Sequence, residues 1–182
     1  MTADYQKYRW FFTSSDVLVI GGKSAQQNET AVKEAKADET ILHTLMPGSP
    51  FCVLNSQEKQ DLKEAAVFCA AFSRAWRERK KQVEVHVFSK EQIYKEKGMK
   101  TGTFGVLGKV KKIKVNLKLW LCIQKGKLRA VPFEKNALAE LTPGNMQKEK
   151  AAKEVSEKLK ISLEEVLSAL PSGGINIRWK EL

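Results

Sequence analysis

The stretch Tyr8 to Glu29, YRWFFTSSDVLVIGGKSAQQNE, constrains the fold of this chain more than any other. Tyr8 to Thr13 is rich in aromatic side chains that suit a pleated, half-buried surface, and Val17 to Ile20 is a second apolar, β-branched run. Ser14, Ser15 and Asp16 between them carry short oxygen-bearing side chains that bond back to their own backbone, so the two runs predict a hairpin. Gly21 and Gly22 then turn the chain and leave backbone N–H groups uncovered, and Ser24 is placed to cap the helix that follows. Such a helix start attracts anions, although Gly-Gly between a strand and a helix is also ordinary tight-turn chemistry. Gly22-Lys23-Ser24 resembles the end of a nucleotide-binding P-loop, but that motif needs a glycine where Val17 stands, which excludes the ATPase reading.

The rest of the chain supplies a core for this hairpin. Leu62, Ala65, Ala66, Cys69, Phe72, Ser73 and Trp76 recur at three- and four-residue spacing, which predicts a long helix over 57–76 packed across the sheet. Short strands are expected within 38–45, at 51–54 and at 83–88, with a Met46-Pro47-Gly48-Ser49-Pro50 loop between the first two. The stretch 101–108 reads as a glycine-punctuated strand, and 115–123 with 128–133 as a second hairpin. From Glu134 the composition turns helical: 141–145 reads as a break, 147–159 as a helix, Ser162 as the cap of another with Glu165 completing a capping box, and 175–179 as a last strand. No internal repeat is visible.

At 182 residues the chain suits one well-buried domain with a small appended unit, and 42% hydrophobic content fits a globular protein. No apolar run is long enough to span a bilayer, and the N-terminus lacks the pattern of a signal peptide, so a cytoplasmic protein is expected. Cys52, Cys69 and Cys122 are odd in number, far apart and set in apolar surroundings, which reads as buried free thiols. The formal net charge of +11 favours an acidic partner. That charge is local, because residues 77–118 hold thirteen Lys and Arg against four Glu, nine of the eleven net charges. A run of this kind is either a solvated face or the electrostatic footprint of nucleic acid. No HExxH, CxxC or GxSxG pattern accompanies it, so neither a metal site, a cofactor nor a catalytic set is expected. His43, at a strand end before the Pro-Gly loop, reads equally as a ligand contact and as a structural hydrogen bonder.

Four motifs, in order, carry a family resemblance: YRWFFTSSDVLVIGGKSAQQNE, LHTLMPGSPFCV, LKEAAVFCAAFSRAW and TGTFGVLGK. Through them the chain resembles the NFACT-R family, the RNA-binding domain of NFACT proteins that act in ribosome-associated quality control. The resemblance covers about residues 5 to 120, and the tail through LTPGNMQKEKAAKEV to ALPSGGI is similar to the region that follows this domain in archaeal members. The N-terminal NFACT domain, helix-hairpin-helix and coiled coil of those proteins have no counterpart, so the expectation is a standalone version without their tRNA recruitment or tail synthesis. The family motif implies roles for Arg9, Gly22, Lys23, Gln27, Asn28, His43, the Gly48-Ser49 loop and Gly108-Lys109. The chain departs from it at His43-Thr44-Leu45, where the family often has His-Ala-Asp, and at Leu107, where it tends to show Arg or Tyr.

The expectation is therefore an α+β fold, a mixed, mainly antiparallel sheet with a long packed helix and a small helical C-terminal extension, divided at 1–120 and 121–182 and packed as one body. The expected function is non-catalytic RNA binding to ribosomal or transfer RNA, with the large ribosomal subunit as partner and no membrane. Phosphate contacts are assigned to Arg77, Arg79, Lys80, Lys81, Lys109, Lys111, Lys112 and Lys114, and further contacts to Arg9, Lys23, Gln27, Asn28, His43 and Ser49. The alternatives are a module docking an acidic protein and an enzyme acting on a phosphate-bearing ligand. No reader of the 2′-hydroxyl is visible, which leaves DNA open as the bound acid.

Overall fold

A computed structural model describes residues 3–181. The fold is α+β. Its first sheet has six strands: β1 (Arg9–Phe12), β2 (Leu18–Gly21), β3 (Thr40–Thr44), β4 (Cys52–Leu54), β5 (Val83–Ser89) and β8 (Lys111–Val115), in the order β1-β2-β4-β3-β5-β8. The second has four: β9 (Leu119–Gln124), β10 (Lys127–Val131), β11 (Ala139–Met146) and β12 (Ile175–Trp179), in the order β10-β9-β11-β12. A two-strand ribbon, β6 (Ile93–Tyr94) with β7 (Gly105–Val106), lies between them in sequence. Every ladder among the described residues is antiparallel.

The β1–β2 hairpin forms as the alternation predicts, with Trp10 opposite Ile20 and Phe11 opposite Val19. Its Ser14-Ser15-Asp16 turn is anchored by a buried carboxylate: Glu64 accepts from Ser14 N at 2.8 Å and also from the Ser14 hydroxyl. Glu64 belongs to α2 (Lys59–Ala71), the long helix, which covers one face of the first sheet. The helix stops earlier than the apolar spacing predicts. Ser73 is extended at φ −92°, ψ 175°; its hydroxyl donates to Ala70 O at 2.6 Å and accepts from Ala75 N, restarting the chain as the single turn α3 (Arg74–Arg77). A Ser that bonds the preceding turn and caps the next one competes with helix continuation.

Four expectations are corrected from residue 101 onward. The 115–123 strand is divided, since Val115 ends β8 in the first sheet and Leu119 begins β9 in the second. The 141–145 break is the end of β11, which runs beside β9 at Ala139–Leu141 and beside β12 up to Met146. Pro143 is tolerated because it lies past the last β9 pair, and the register slips between Pro143 and Met146. The 101–108 strand shrinks to the two residues of β7. The remaining helices are α1 (Ala25–Glu34), α4 (Lys148–Leu159) and α5 (Leu163–Ala169). Ser162 caps α5 by accepting from Glu165 N, but the Glu165 carboxylate accepts from Leu128 N at 2.8 Å, so it ties α5 to β10 where a capping box was expected. No helix is long and apolar enough to cross a membrane among the described residues.

One buried cluster unites the two sheets, running from Phe11, Leu42 and Trp76 through Leu119, Leu128 and Leu141 to Val155, Val166 and Ile175. Trp76, fully buried, donates its indole N–H to Gly174 O at 2.9 Å across this junction. A second, smaller cluster holds α1 against the opposite face of the first sheet through Val32, Ile41, Phe51, Val53 and Phe88. All three cysteines are buried free thiols.

Candidate nucleic-acid interface

The glycine corner after β2 is built from backbone and amide groups. Ser24 caps α1 by accepting from Gln27 N at 3.2 Å. Gln27 accepts from Lys23 N at 2.9 Å and donates to Lys7 O at 3.1 Å, while Asn28 Oδ1 accepts from Phe51 N at 2.9 Å. A Cβ on Gly22 would stand 2.0 Å from that Asn28 oxygen, so only glycine lets the two elements approach this closely. Gln27 and Asn28 thus hold the corner rigid with bonds inside the protein. Lys23 projects from it, exposed and without an acidic partner among the described residues.

His43 lies on the face of the first sheet that carries Ile41, facing His86 across the β3–β5 ladder. Its ring stacks on Phe51 with centroids 4.3 Å apart, and its Nδ1 lies 2.6 Å from Thr44 O. Burial draws its pKa down; the Thr44 carbonyl opposes this and the neighbouring His86 adds to it. Ser49 is buried, accepting from Thr44 N at 3.2 Å and donating to Pro50 O at 2.8 Å. Lys112 and Lys114 stand opposite His86 and Glu84 on β8, and Lys112 pairs with Glu84 at 3.6 Å. Lys109, Lys111 and Lys114 are exposed and make no ion pair among the described residues. Arg9 on β1 and these lysines occupy opposite edges of the sheet, separated by five strand spacings or about 24 Å. The sequence-derived residues therefore fall at both edges of the sheet, Arg9 at β1 and Lys111, Lys112 and Lys114 at β8, with His43 and Ser49 between them.

The group at the β1 edge is larger than the sequence suggested. Arg9 lies with its guanidinium 4.8 Å from the Phe72 ring centroid, and Arg129, on β10, 4.6 Å from that of Trp10. Lys23 and Arg129 line one cleft between the hairpin and α5, of about 370 Å³. Arg77, Arg79 and Lys148 line another of about 730 Å³ at the start of α4. Lys80 and Lys81 are exposed and lie apart from it: Lys80, 3.7 Å from Glu78, lines a separate pocket with Thr44 and Glu84, and Lys81 precedes β5. The cations repel one another. Burial lowers the pKa of Lys23, with Arg9 and Arg129 adding to it, and that of Lys148, with Arg9 adding to it. Arg129 is likewise depressed by burial; Glu165 counters this and Arg9 deepens it. Arg129 and Lys148 were not anticipated, though each has a local signal. An Arg inside the buried run Leu128–Val131 is rarely without purpose, and a Lys in the first turn of a helix opposes the dipole.

An α+β domain carrying unpaired cations at both sheet edges defines a basic, anion-facing class of protein. The model of the NFACT protein RNA binding domain matches residues 7–108, and the chain belongs to that family. It is 30% identical to the Archaeal Rqc2 homolog aRqcH of Methanocaldococcus jannaschii over 95% of this chain and 29% of that protein. It is 29% identical to the Ribosome quality control complex subunit NEMF homolog of Drosophila melanogaster over 58% of this chain and 12% of that protein. The chain thus spans less than a third of either relative. The solved C-terminal part of the fibronectin/fibrinogen-binding protein from Streptococcus suis shares the fold, with a TM-score of 0.55 and 22% identity over 60% of this chain and 45% of that one.

Proposed function

We propose that this protein binds RNA without catalysing a reaction, contacting ribosomal or transfer RNA in the cytoplasm during ribosome-associated quality control. The observation that carries this reading is the state of the cations. Of the ten Lys and Arg assigned to contacts, Arg9, Lys23, Arg77, Arg79, Lys81, Lys109, Lys111 and Lys114 have no carboxylate within 4.0 Å among the described residues, and only Lys80 and Lys112 do. Charge left unpaired on folding is available to phosphates, whose contacts release counterions. Family membership and the ribosome quality control relatives support RNA as the ligand and ribosome quality control as the context. Gln27, Asn28 and Ser49, occupied by internal bonds, support the shape of the site and leave the cations to meet the ligand.

Titration of a labelled RNA at increasing salt tests this. Affinity is expected to fall with a log–log slope of about −0.7 per phosphate neutralised for a single strand. Salt-insensitive binding, or none at low salt, refutes it. On a density gradient the protein is expected to travel with large ribosomal subunits; recovery only at the top of the gradient refutes the ribosomal assignment.

A further inference from the structure

We infer that the seam between the two sheets holds the phosphate backbone of a single RNA strand, with Arg9, Lys23, Arg77 and Arg79 on one side and Arg129 and Lys148, from the C-terminal unit, on the other. The inference rests on the RNA-binding reading and adds where the strand runs. Arg129 carries the argument. It is only 8% exposed, its Nε donates to Leu128 O at 2.5 Å, and no carboxylate lies within 4.0 Å of its guanidinium among the described residues. Glu165 offsets its charge only from a distance, and Glu164 lines the same cleft without an ion pair to it; a buried charge so weakly met is costly, and a phosphate entering the cleft offsets that cost. Glu165, which also lines the cleft, is engaged by Leu128 N and by Lys127 at 3.9 Å.

Arg9 stands between the two clefts. Arg9 shares a crevice with Arg129, and its charge acts on Lys23, Arg129 and Lys148. Lys148 in turn shares the larger cleft with Arg77 and Arg79. The rings of Phe72 and Trp10 pack against the two inner guanidinium groups, so less side-chain freedom remains to be lost on binding. Because Arg129 is recessed, it can be met by the phosphates of a strand that leaves a helix, which can enter a cleft, and not by those fixed on the outside of a duplex. The family match ends at residue 108, so the C-terminal unit is assigned two of the six cations of this site.

The test compares the full chain with Lys23→Gln/Lys148→Gln, with Arg129→Gln, and with Lys153→Gln/Lys160→Gln, which removes two charges outside both clefts. Anisotropy of a labelled single strand and of the matching duplex is read across about 50 to 200 mM salt, where phosphate contacts show themselves. The Lys23/Lys148 variant is expected to lose roughly tenfold in affinity and about 1.4 from the salt slope, with the Lys153/Lys160 variant far less affected. Arg129→Gln is expected to lose at least as much, and its melting curve shows whether it folds. If it does not fold, the Lys23/Lys148 variant decides alone. Wild-type binding unchanged in that variant overturns the seam site while leaving RNA binding intact. Equal affinity for the duplex overturns the single-strand assignment, and no binding by wild-type protein overturns the RNA reading itself.

Discussion

Replacing Glu29 with Gln tests how the ribbon of β6 and β7 is held to α1. One Glu29 oxygen accepts from Gly102 N at 2.7 Å and lies 2.9 Å from Lys95 Nζ, and the other is 3.2 Å from Lys33 Nζ. Burial works to raise the Glu29 pKa, but these three groups outweigh it and hold the carboxyl at about 2, against 4.5 for a free side chain. A folded pKa below the unfolded one means that the carboxylate stabilises the fold fully above pH 4.5, and that this contribution disappears as pH falls towards 2. Its size is about 2 kcal/mol once solvent screening of a partly exposed group is allowed for. Glu29→Gln should therefore lower the melting temperature by about 4–8 °C near neutral pH. The assay is urea unfolding of both proteins over a pH series. The gap between them should narrow steadily below pH 4.5. A gap that is absent at neutral pH, or that persists unchanged near pH 2.5, refutes the account of Glu29 as a charged clamp.

Gly22→Ala should cost about 3 kcal/mol by calorimetry, because its Cβ meets Asn28 Oδ1 and displaces it from Phe51 N; a melting temperature within a degree or so of wild type would contradict this. Trp76→Phe removes the bond to Gly174 O and leaves a gap in a fully buried site, so denaturant unfolding should show a loss of about 2–3 kcal/mol, still in a single transition because the core is shared. Burial pushes the Cys122 thiol up to about 11 and raises that of Cys52 well above its usual value, so an aromatic disulfide reagent near neutral pH should label no cysteine rapidly until the protein is unfolded.

Elements whose signal is local were legible from the residues alone. The β1–β2 hairpin follows from two apolar runs around a Ser-Ser-Asp turn, and the α1 cap follows from Ser24 after two glycines. Strand β11 was not legible, because Pro143 and Gly144 are turn residues by composition and become strand residues only where β9 ends and β12 continues alone. Ser73 showed the opposite effect: it fits the apolar spacing of a helix, yet bonds its own backbone and ends one. The candidate site divided in the same way. Lys111, Lys112 and Lys114 form a visible charge run, whereas Arg129 and Lys148 acquire meaning only when β10 and the start of α4 arrive beside Arg9, more than a hundred residues earlier in the chain.

Gln124 bears on self-association. Its side-chain amide donates to Phe12 O and accepts from Phe12 N, both at 2.8 Å, and so occupies the free edge of β1 as another strand would. The opposite edge, β8, is guarded by exposed lysines at 111, 112 and 114. A Gln124→Ala chain would keep the charged edge and the shared core and lose only the amide plug. Its β1 would then be open to pairing with a second molecule, so that variant should dimerise through the N-terminal hairpin while the unaltered chain stays dispersed.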